Sequence, residues 1–436
     1  MMQTIDLREL QPSRADLARL VPRAHTDVSV ATDIAASLIA DVRDRGEEAL
    51  RDQAERLDGV RPENIRIHAG EIANALARLE TPVRDALEEA IARVTVATRA
   101  QLPAPMVTTI APGAEIIQRW QPVNRVGFYV PGGKAVYPSS VIMNVVPAQV
   151  AGVSSVALAS PPQKAFGGAV HPTILGAAGL LGVEEVYAMG GAGAIGALAY
   201  GVPSLSLDPV QVITGPGNVY VAAAKRLVRG IAGIDSEAGP TEILVIADAA
   251  ADPVLVAADL ISQAEHDELA AAVLVTDSVE LATAVTEEVQ RLARTTRHSA
   301  RVLEALAGRQ SAIVLVADMP SAASFSNAYG PEHLEIQTQE PGLVLDLIEN
   351  AGAIFLGAYT PVSLGDYLAG SNHVLPTGGQ ARFASGLGAY TFLRPQQVVN
   401  YNREALEAVE SKIVALSSAE DLPAHGDAVT ARFPRG

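Results

Sequence analysis

Glu332 and His333 stand side by side in Gly330-Pro331-Glu332-His333-Leu334-Glu335-Ile336, a carboxylate and an imidazole placed where a Gly-Pro pair interrupts regular structure. Imidazole titrates near neutral pH and suits proton transfer, and a neighbouring carboxylate either tunes it or activates a water of its own. On a strand the two side chains would face opposite ways, so a shared cleft calls for the irregular backbone of a loop. An isolated Glu-His pair is otherwise a solvated surface dipeptide, and the rest of the chain has to decide. A second candidate is Gln263 with His266, three residues apart and hence on one helix face, near the end of Asp259-Leu260-Ile261-Ser262-Gln263-Ala264-Glu265-His266-Asp267. An amide and an imidazole at that spacing can ligate a metal, or can simply end a helix in water. A third is the short run Glu420-Asp421-Leu422-Pro423-Ala424-His425, an acid and a histidine at a proline turn that is either inert tail or a segment completing a site. His25 and His68 stand alone and read as surface or packing residues.

The elements that must hold these residues read as α/β. Residues up to about 100 are helical and charged, with openings at Pro12-Ser13-Arg14 and Pro82-Val83-Arg84 and apolar residues such as Ile34, Leu38, Ile39 and Val42 at three- and four-residue steps. From Arg125 short β-branched runs alternate with Ala-rich helical ones, the pattern of βαβ units around a largely parallel sheet. Strands are expected over Val126 to Val130, Ser155 to Ala159, Glu185 to Met189, Ile243 to Ala247, Ala272 to Val275, Ile313 to Val316 and Ala353 to Leu356. Asp252 and Pro253 cap and open the helix that leads to Gln263. Further helices are expected over Ser278 to Leu292 and Arg403 to Leu416.

Glycine-rich loops stand at three strand ends, in Val130-Pro131-Gly132-Gly133-Lys134, Met189-Gly190-Gly191-Ala192-Gly193-Ala194-Ile195-Gly196 and Gly215-Pro216-Gly217-Asn218. Free N–H groups at strand ends and helix N-termini face phosphates in open α/β sheets, so the three loops together favour a nucleotide or another phosphate-bearing ligand. Gly191, Gly193 and Gly196 spell G-x-G-x-x-G, but no acid sits about 20 residues on, and Asp208 comes early beside Pro209. Small residues that let a helix approach the sheet explain that segment equally well.

A chain of 436 residues exceeds one ordinary core, so two or more domains are expected, and an apolar fraction of 49% suits large cores. Neither a signal peptide nor an apolar run of bilayer length is visible, so a soluble, cytoplasmic protein is expected. A net charge of −17 disfavours nucleic acid and anionic membrane as partners and favours small molecules. Cysteine is absent, which removes disulfides, thiolate metal sites and cysteine nucleophiles together.

The motifs also occur in a familiar order. Asp259-Leu260-Ile261-Ser262-Gln263-Ala264-Glu265-His266, Gly330-Pro331-Glu332-His333-Leu334, Gly365-Asp366-Tyr367, Gly370-Ser371-Asn372-His373-Val374-Leu375-Pro376-Thr377 and Ala424-His425 resemble those of the histidinol dehydrogenases, from about residue 30 to the C-terminus. The resemblance implies a zinc- and NAD-dependent enzyme that oxidises L-histidinol through L-histidinaldehyde to L-histidine, the last steps of histidine biosynthesis. Carried over by motif, Gln263, His266, Asp366 and His425 resemble the zinc ligands, one ion per subunit, and Glu332 and His333 the acid/base pair. Thr241, Gln263, His266, His333, Asp366, Glu420 and His425 resemble the substrate contacts. Tyr129, Gly193 and Asn218 fall at cofactor positions. Gly193 stands where the family often has Gln, losing a side-chain contact, and Thr241 where it often has Ser, keeping the hydroxyl. The resemblance further implies two Rossmann-like domains with incomplete, mostly parallel sheets, flanked by a helical N-terminal segment and a C-terminal arm, in a homodimer whose arms complete each other's sites. The boundaries read as 1–24 for the N-terminal segment, 25–128 with 248–388 for the domain of the metal and acid/base residues, 129–247 for the glycine-loop domain on the NAD side, and 389–436 for the arm.

Without cysteine an aldehyde cannot be carried as a thiohemiacetal, so its oxidation must pass through a hydrate, with Glu332 as base for water and His333 taking alcohol and hydrate protons. The competing class is a zinc hydrolase of a small phosphate-bearing substrate, with Glu332 activating a metal-bound water. A non-enzymatic nucleotide- or metal-binding protein is the third.

Overall fold

The structure is a computed structural model, which describes residues 2–10, 12–24, 28–132, 135–237 and 239–433. His25 and the Gly133-Lys134 end of the first glycine loop lie outside the described residues. The chain opens with β1 (Gln3–Asp6) and α1 (Arg14–Leu20), then α2 (Val28–Arg45), α3 (Glu47–Leu57), α4 (Ala69–Ala77) and α5 (Thr81–Arg99). The strands β2 (Met106–Ala111) and β3 (Ala114–Pro122) precede an alternating run of β4 (Arg125–Tyr129), α6 (Pro138–Ala151), β5 (Ser155–Ser160), α7 (Pro172–Leu180), β6 (Val186–Ala188), α8 (Gly191–Tyr200), β7 (Val212–Thr214), α9 (Val219–Val228) and β8 (Gly233–Ile234). A second run holds β9 (Glu242–Ala247), α10 (Pro253–Ala264), β10 (Ala271–Thr276), α11 (Val279–Ala293), α12 (Ser299–Ala307), β11 (Ala312–Leu315), α13 (Met319–Tyr329), β12 (His333–Gln337), α14 (Pro341–Leu345), β13 (Ala353–Leu356) and α15 (Val362–Tyr367). The chain ends with β14 (Leu393–Tyr401), α16 (Arg403–Glu407), α17 (Glu410–Ala419) and α18 (Pro423–Thr430).

Two parallel sheets result, as the βαβ pattern predicts. The larger is ordered β1-β11-β10-β9-β12-β13 and the smaller β6-β5-β4-β7-β8. Central strands such as β9 and β10 are buried at every position, which is why they read as unbroken apolar runs covered on both faces. In the larger sheet Ile243 and Val245 pack under α10 and α11, while Leu244 and Ile246 pack with Phe325 of α13 and with Leu7 and Leu17 of the N-terminal segment. In the smaller sheet α6 and α7 cover one face with α4 and α5 behind them, and α8 and α9 cover the other with α2 behind them.

Several expected boundaries move. Helices α2 to α5 belong with the five-stranded sheet, because the stripe Ala31, Ala35, Leu38, Ile39 and Val42 seats on the Ala- and Gly-rich helices α8 and α9. Ile34, read with that stripe, is instead 42% exposed. The segment 1–24 is not separate from the larger unit, since β1 pairs in parallel with β11 at the sheet edge. Strand β4 lies wholly within the smaller sheet and β9 wholly within the larger, so the boundaries drawn at 128/129 and 247/248 cut β4 and misplace β9. Glu332-His333 is not a free loop either: His333 opens β12, hydrogen-bonded between β9 and β13. The helix expected over Arg403 to Leu416 is two, α16 and α17.

The arm is tied to its own chain by a third sheet, antiparallel and ordered β14-β3-β2, with Leu393 opposite Pro122 and Tyr401 opposite Ala114. All six residues of β2 are exposed, including Met106, Val107 and Ile110.

Candidate active site

Helix α13 ends at Gly330, whose φ of +59° is the left-handed conformation that glycine adopts freely. Pro331 and Glu332 follow outside regular structure, and His333 begins β12. That change of backbone conformation lets adjacent side chains converge: His333 Nδ1 lies 3.5 Å from Glu332 Oε2. The pair therefore sits at the amino ends of β9 and β12, whereas the glycine loops sit at the carboxyl ends of the smaller sheet.

Both side chains are held by the start of β9. The Thr241 hydroxyl donates to Glu332 Oε2 at 2.6 Å and the Glu242 backbone N–H donates to the same oxygen at 2.8 Å. Gln263 Nε2 donates to Thr241 Oγ1 at 2.6 Å, so one hydroxyl links the end of α10 to the carboxylate. Burial nevertheless dominates: it raises the Glu332 carboxyl to about 8, against the Thr241 and Glu242 donors that lower it, with the Asp366 charge adding to the rise. His333 Nδ1 lies 3.0 Å from the Glu242 carbonyl oxygen, closer than it lies to Glu332. A carbonyl only accepts, so Nδ1 carries the proton and Nε2 keeps its lone pair. Nε2 is buried with no hydrogen-bond partner, and burial lowers the imidazole's proton affinity, with Asp366 opposing. The result is a neutral base with one unoccupied acceptor.

Gln263 is buried in the last turn of α10, whose start is capped as expected by Asp252 Oδ1 on the Val254 N–H at 2.8 Å. With its Nε2 committed to Thr241, its carbonyl oxygen is the group left to accept or ligate. His266 lies just past the helix end, its backbone N–H donating to the Gln263 backbone carbonyl at 3.2 Å. Burial also lowers the proton affinity of this imidazole, opposed first by Asp366, and a proton on His333 would lower it further. Asp366 stands on α15, half-buried. Gln263, Thr241, His266, Glu332, His333 and Asp366 are thus brought to one place. The donors are those zinc accepts without a thiolate: a neutral imidazole, a carboxylate and an amide oxygen. Yet among the described residues no group of three or more His, Asp or Glu side chains is arranged to hold a metal ion. Glu420, just past the end of α17, and His425, in α18, are exposed on the arm, and among the described residues no hydrogen bond or ion pair joins them to this cluster.

The residues at cofactor positions lie on the smaller sheet. Tyr129 ends β4 with its ring buried and its hydroxyl accepting from the Gly191 N–H at 3.2 Å, at the first turn of α8. Asn218 caps α9, its Oδ1 accepting from Tyr220 N at 3.1 Å and Val221 N at 3.2 Å. Gly193 is covered by α3: a Cβ there would lie 2.0 Å from Gln53 Oε1. One at Gly196 would lie 3.3 Å from Ile39 Cα, so both glycines serve close helix packing.

Sequence reasoning passed over three groups. His373 spans the two sheets, with Nδ1 3.0 Å from the Asp366 carbonyl and Nε2 3.1 Å from Ser140 Oγ at the start of α6; its motif was visible, its reach was not. Lys225 is buried, ion-paired with Asp235 and donating to the Gly215 carbonyl at 3.0 Å, while Asp235 accepts from the Gly215 N–H at 2.8 Å. The third glycine loop is therefore clamped from both sides. Gly215 itself, with φ of +119°, rests against the Tyr129 backbone so closely that a Cβ would meet its carbonyl oxygen at 2.0 Å. Arg23 pairs with Glu242 at 2.6 Å. Nothing in the local spacing of Lys225 or Arg23 marked either as special.

The family model for histidinol dehydrogenase matches residues 21–433. A histidinol dehydrogenase of Leifsonia xyli is 70% identical over 432 residues, covering 99% of each chain, and one of Thermobifida fusca is 56% identical over 435 residues, covering 100% of this chain and 99% of the other. The crystal structure of histidinol dehydrogenase from Elizabethkingia anophelis superposes with a TM-score of 0.92 at 31% identity, covering 99% of this chain and 98% of that one. Matched from near its start to its end in sequence and in fold, the chain belongs to the histidinol dehydrogenase family.

Proposed function

We propose that the protein oxidises L-histidinol to L-histidinaldehyde and then to L-histidine, passing two hydrides to two NAD molecules with one zinc ion per chain. The observation that carries this reading is the pairing of two bases with different acceptors: His333 with a bare Nε2, and Glu332 with both donors on Oε2. In the first half-reaction His333 Nε2 takes the alcohol proton as hydride leaves the carbinol carbon for NAD. In the second, Glu332 takes a proton from water as its oxygen bonds to the aldehyde carbon and the protonated His333 returns its proton to the carbonyl oxygen, giving the hydrate and freeing His333 again. His333 then takes a hydrate proton as the second hydride leaves, and the product is the carboxylic acid. The absence of cysteine leaves this hydrate route as the one the chain can support.

Gln263, His266 and Asp366 would hold zinc, with His425 of the partner subunit as the fourth ligand. When bound, zinc supplies a Lewis acid and an anchor for the substrate's imidazole and amino nitrogens. The exposed positions of Glu420 and His425 favour an arm that serves a second copy, as does the exposed apolar strand β2 next to it. NAD would lie at the carboxyl ends of β4, β6 and β7, near Tyr129 and Asn218, facing the cluster across Ser140 and His373. Histidinol and NAD, mixed with zinc-loaded protein, should yield NADH and histidine in a ratio of two to one. Failure to form NADH, with hydrolysis of a phosphate ester instead, would favour the hydrolase reading.

A further inference from the structure

Arg23 lies between α1 and α2, in a segment for which the reaction scheme has no use. Three contacts of its guanidinium matter here. Nη1 pairs with Glu242 Oε1 at 2.6 Å, Nη2 donates to the carbonyl oxygen of Tyr329, and Cζ lies 4.2 Å from the centroid of the Tyr329 ring. Both partners bear directly on the reacting pair. Glu242 is the residue whose N–H holds Glu332 and whose carbonyl holds His333, at 2.8 Å and 3.0 Å. Tyr329 is the last residue of α13, directly before Gly330-Pro331-Glu332-His333, and it is fully buried.

The sheet ties each segment to an outer neighbour, Glu242 pairing with Ala271 of β10 and the Glu332 carbonyl accepting from the Ala353 N–H of β13, but it does not join the two segments to each other. Its β9 to β12 register begins with Ile243 opposite His333, so Thr241, Glu242 and residues 329–332 lie outside that ladder. Arg23 ties one segment to the other across the gap. The N-terminal segment delivers it: β1 pairs with β11 and α1 rests on α13. A ligand-binding role fits less well. Arg23 does border a cleft of about 240 Å³ between the two sheets, but its charge is already matched by Glu242. Glu242 in turn needs that cation, since burial pushes its carboxyl up to about 7 even with the Arg23 charge pulling it down.

We propose that Arg23 is a positioning residue for Glu332 and His333, fixing the backbone of Glu242 against the Tyr329-Gly330 turn so that the carboxylate and imidazole keep their reactive geometry. The proposal rests on the acid/base reading of that pair. An Arg's planar fork serves the carboxylate and the carbonyl together, which a Lys ammonium does less well. A displacement of about 1 Å at reacting atoms costs on the order of 100-fold in rate.

The test uses zinc-loaded protein and measures kcat and KM for histidinaldehyde oxidation in Arg23→Gln, Arg23→Lys, Glu332→Gln and the double variant Arg23→Gln, Glu332→Gln. Arg23→Gln should lower kcat by about 10- to 100-fold, with KM for NAD within about twofold because that site belongs to the other sheet. Arg23→Lys should recover part of the loss. The double variant should be slower than Glu332→Gln alone by a smaller factor than separates Arg23→Gln from the wild type, since only the aim of His333 is left to lose. A purely structural Arg23 would instead multiply the two losses and would raise both KM values along with a lower Tm. Multiplied losses, or a kcat unchanged in Arg23→Gln, overturn the proposal. Should Arg23→Gln not fold, Arg23→Lys with and without Glu332→Gln decides by the same comparison. If Glu332→Gln alone retains full aldehyde oxidation, the acid/base reading fails first, an outcome separate from an inert Arg23.

Discussion

Thr241→Ala isolates the one hydroxyl that joins the end of α10 to the carboxylate. In the structure that hydroxyl accepts from Gln263 and donates to Glu332 Oε2, both at 2.6 Å. A hydrogen bond to a charged group is worth about 1.5–3 kcal/mol, so its loss should raise the proton affinity of Glu332 roughly 10- to 100-fold. The wild-type carboxyl already lies at about 8. The carboxylate form, the only one that can act as base, therefore becomes scarcer at neutral pH by the same factor. Aldehyde oxidation at pH 7 should fall about 10- to 100-fold and recover as pH rises, its pH profile displaced to the alkaline side. A cation bound beside Asp366 lowers the starting point in both proteins and moves the pH range of the fall down with it, leaving the displacement between the two profiles as the quantity to read. Histidinol oxidation, which needs no activated water, should fall less. Thr241→Ser should restore the profile, because Ser keeps the hydroxyl. The assay is the pH dependence of kcat with histidinaldehyde. An Ala variant with an unshifted profile would refute the assignment of Thr241 as a donor that tunes Glu332.

Chelation should remove zinc and activity together, with both restored by adding the metal back, and His266→Ala should bind far less zinc by elemental analysis; full metal content in that variant would remove His266 from the ligand set. Coexpressing a Glu332→Gln, His333→Ala chain with a His425→Ala chain should recover activity, because each heterodimer regains one site with an intact acid/base pair and an intact arm; no recovery would place the arm on its own chain. Glu335, fully buried on β12, is raised to about 9 by burial and then by Asp259, so its neutral form suits the fold and stability is lost as pH climbs from its ordinary value of 4.5 through about 9. Glu335→Gln should therefore melt with the wild type near pH 5 and above it near pH 9, and equal Tm values at both would contradict the buried-acid account.

The parallel sheets were legible because their central strands are continuous apolar runs, with glycine after several strands of the smaller sheet, and Asp252-Pro253 marked the start of α10 by capping chemistry alone. The antiparallel sheet was not, since β14 joins β3 across more than 250 residues and no local pattern encodes that partner. Helices α2 to α5 were assigned to the wrong sheet for a related reason: an apolar stripe shows that a helix is covered, but not by what. At the site, residue types pointed to Glu332, His333, Gln263 and His266. What the types could not show is the backbone of Glu242, which orients both bases through its N–H and C=O, nor the reach of Arg23 from the far end of the chain. Gly193 shows spacing that local sequence alone does not resolve. Its spacing left a phosphate loop and close helix packing equally open, and what a Cβ there would meet first is the Gln53 carboxamide of a packing helix.

The division of labour between adjacent bases is tested most directly by single-turnover rates of Glu332→Gln and His333→Ala, measured separately with histidinol and with histidinaldehyde. Glu332→Gln should oxidise histidinol to the aldehyde at a rate near that of the wild type while losing about 10²- to 10⁴-fold in aldehyde oxidation, and His333→Ala should lose the first oxidation by a similar factor. Equal losses in both half-reactions for Glu332→Gln would contradict the assignment of water activation to that carboxylate.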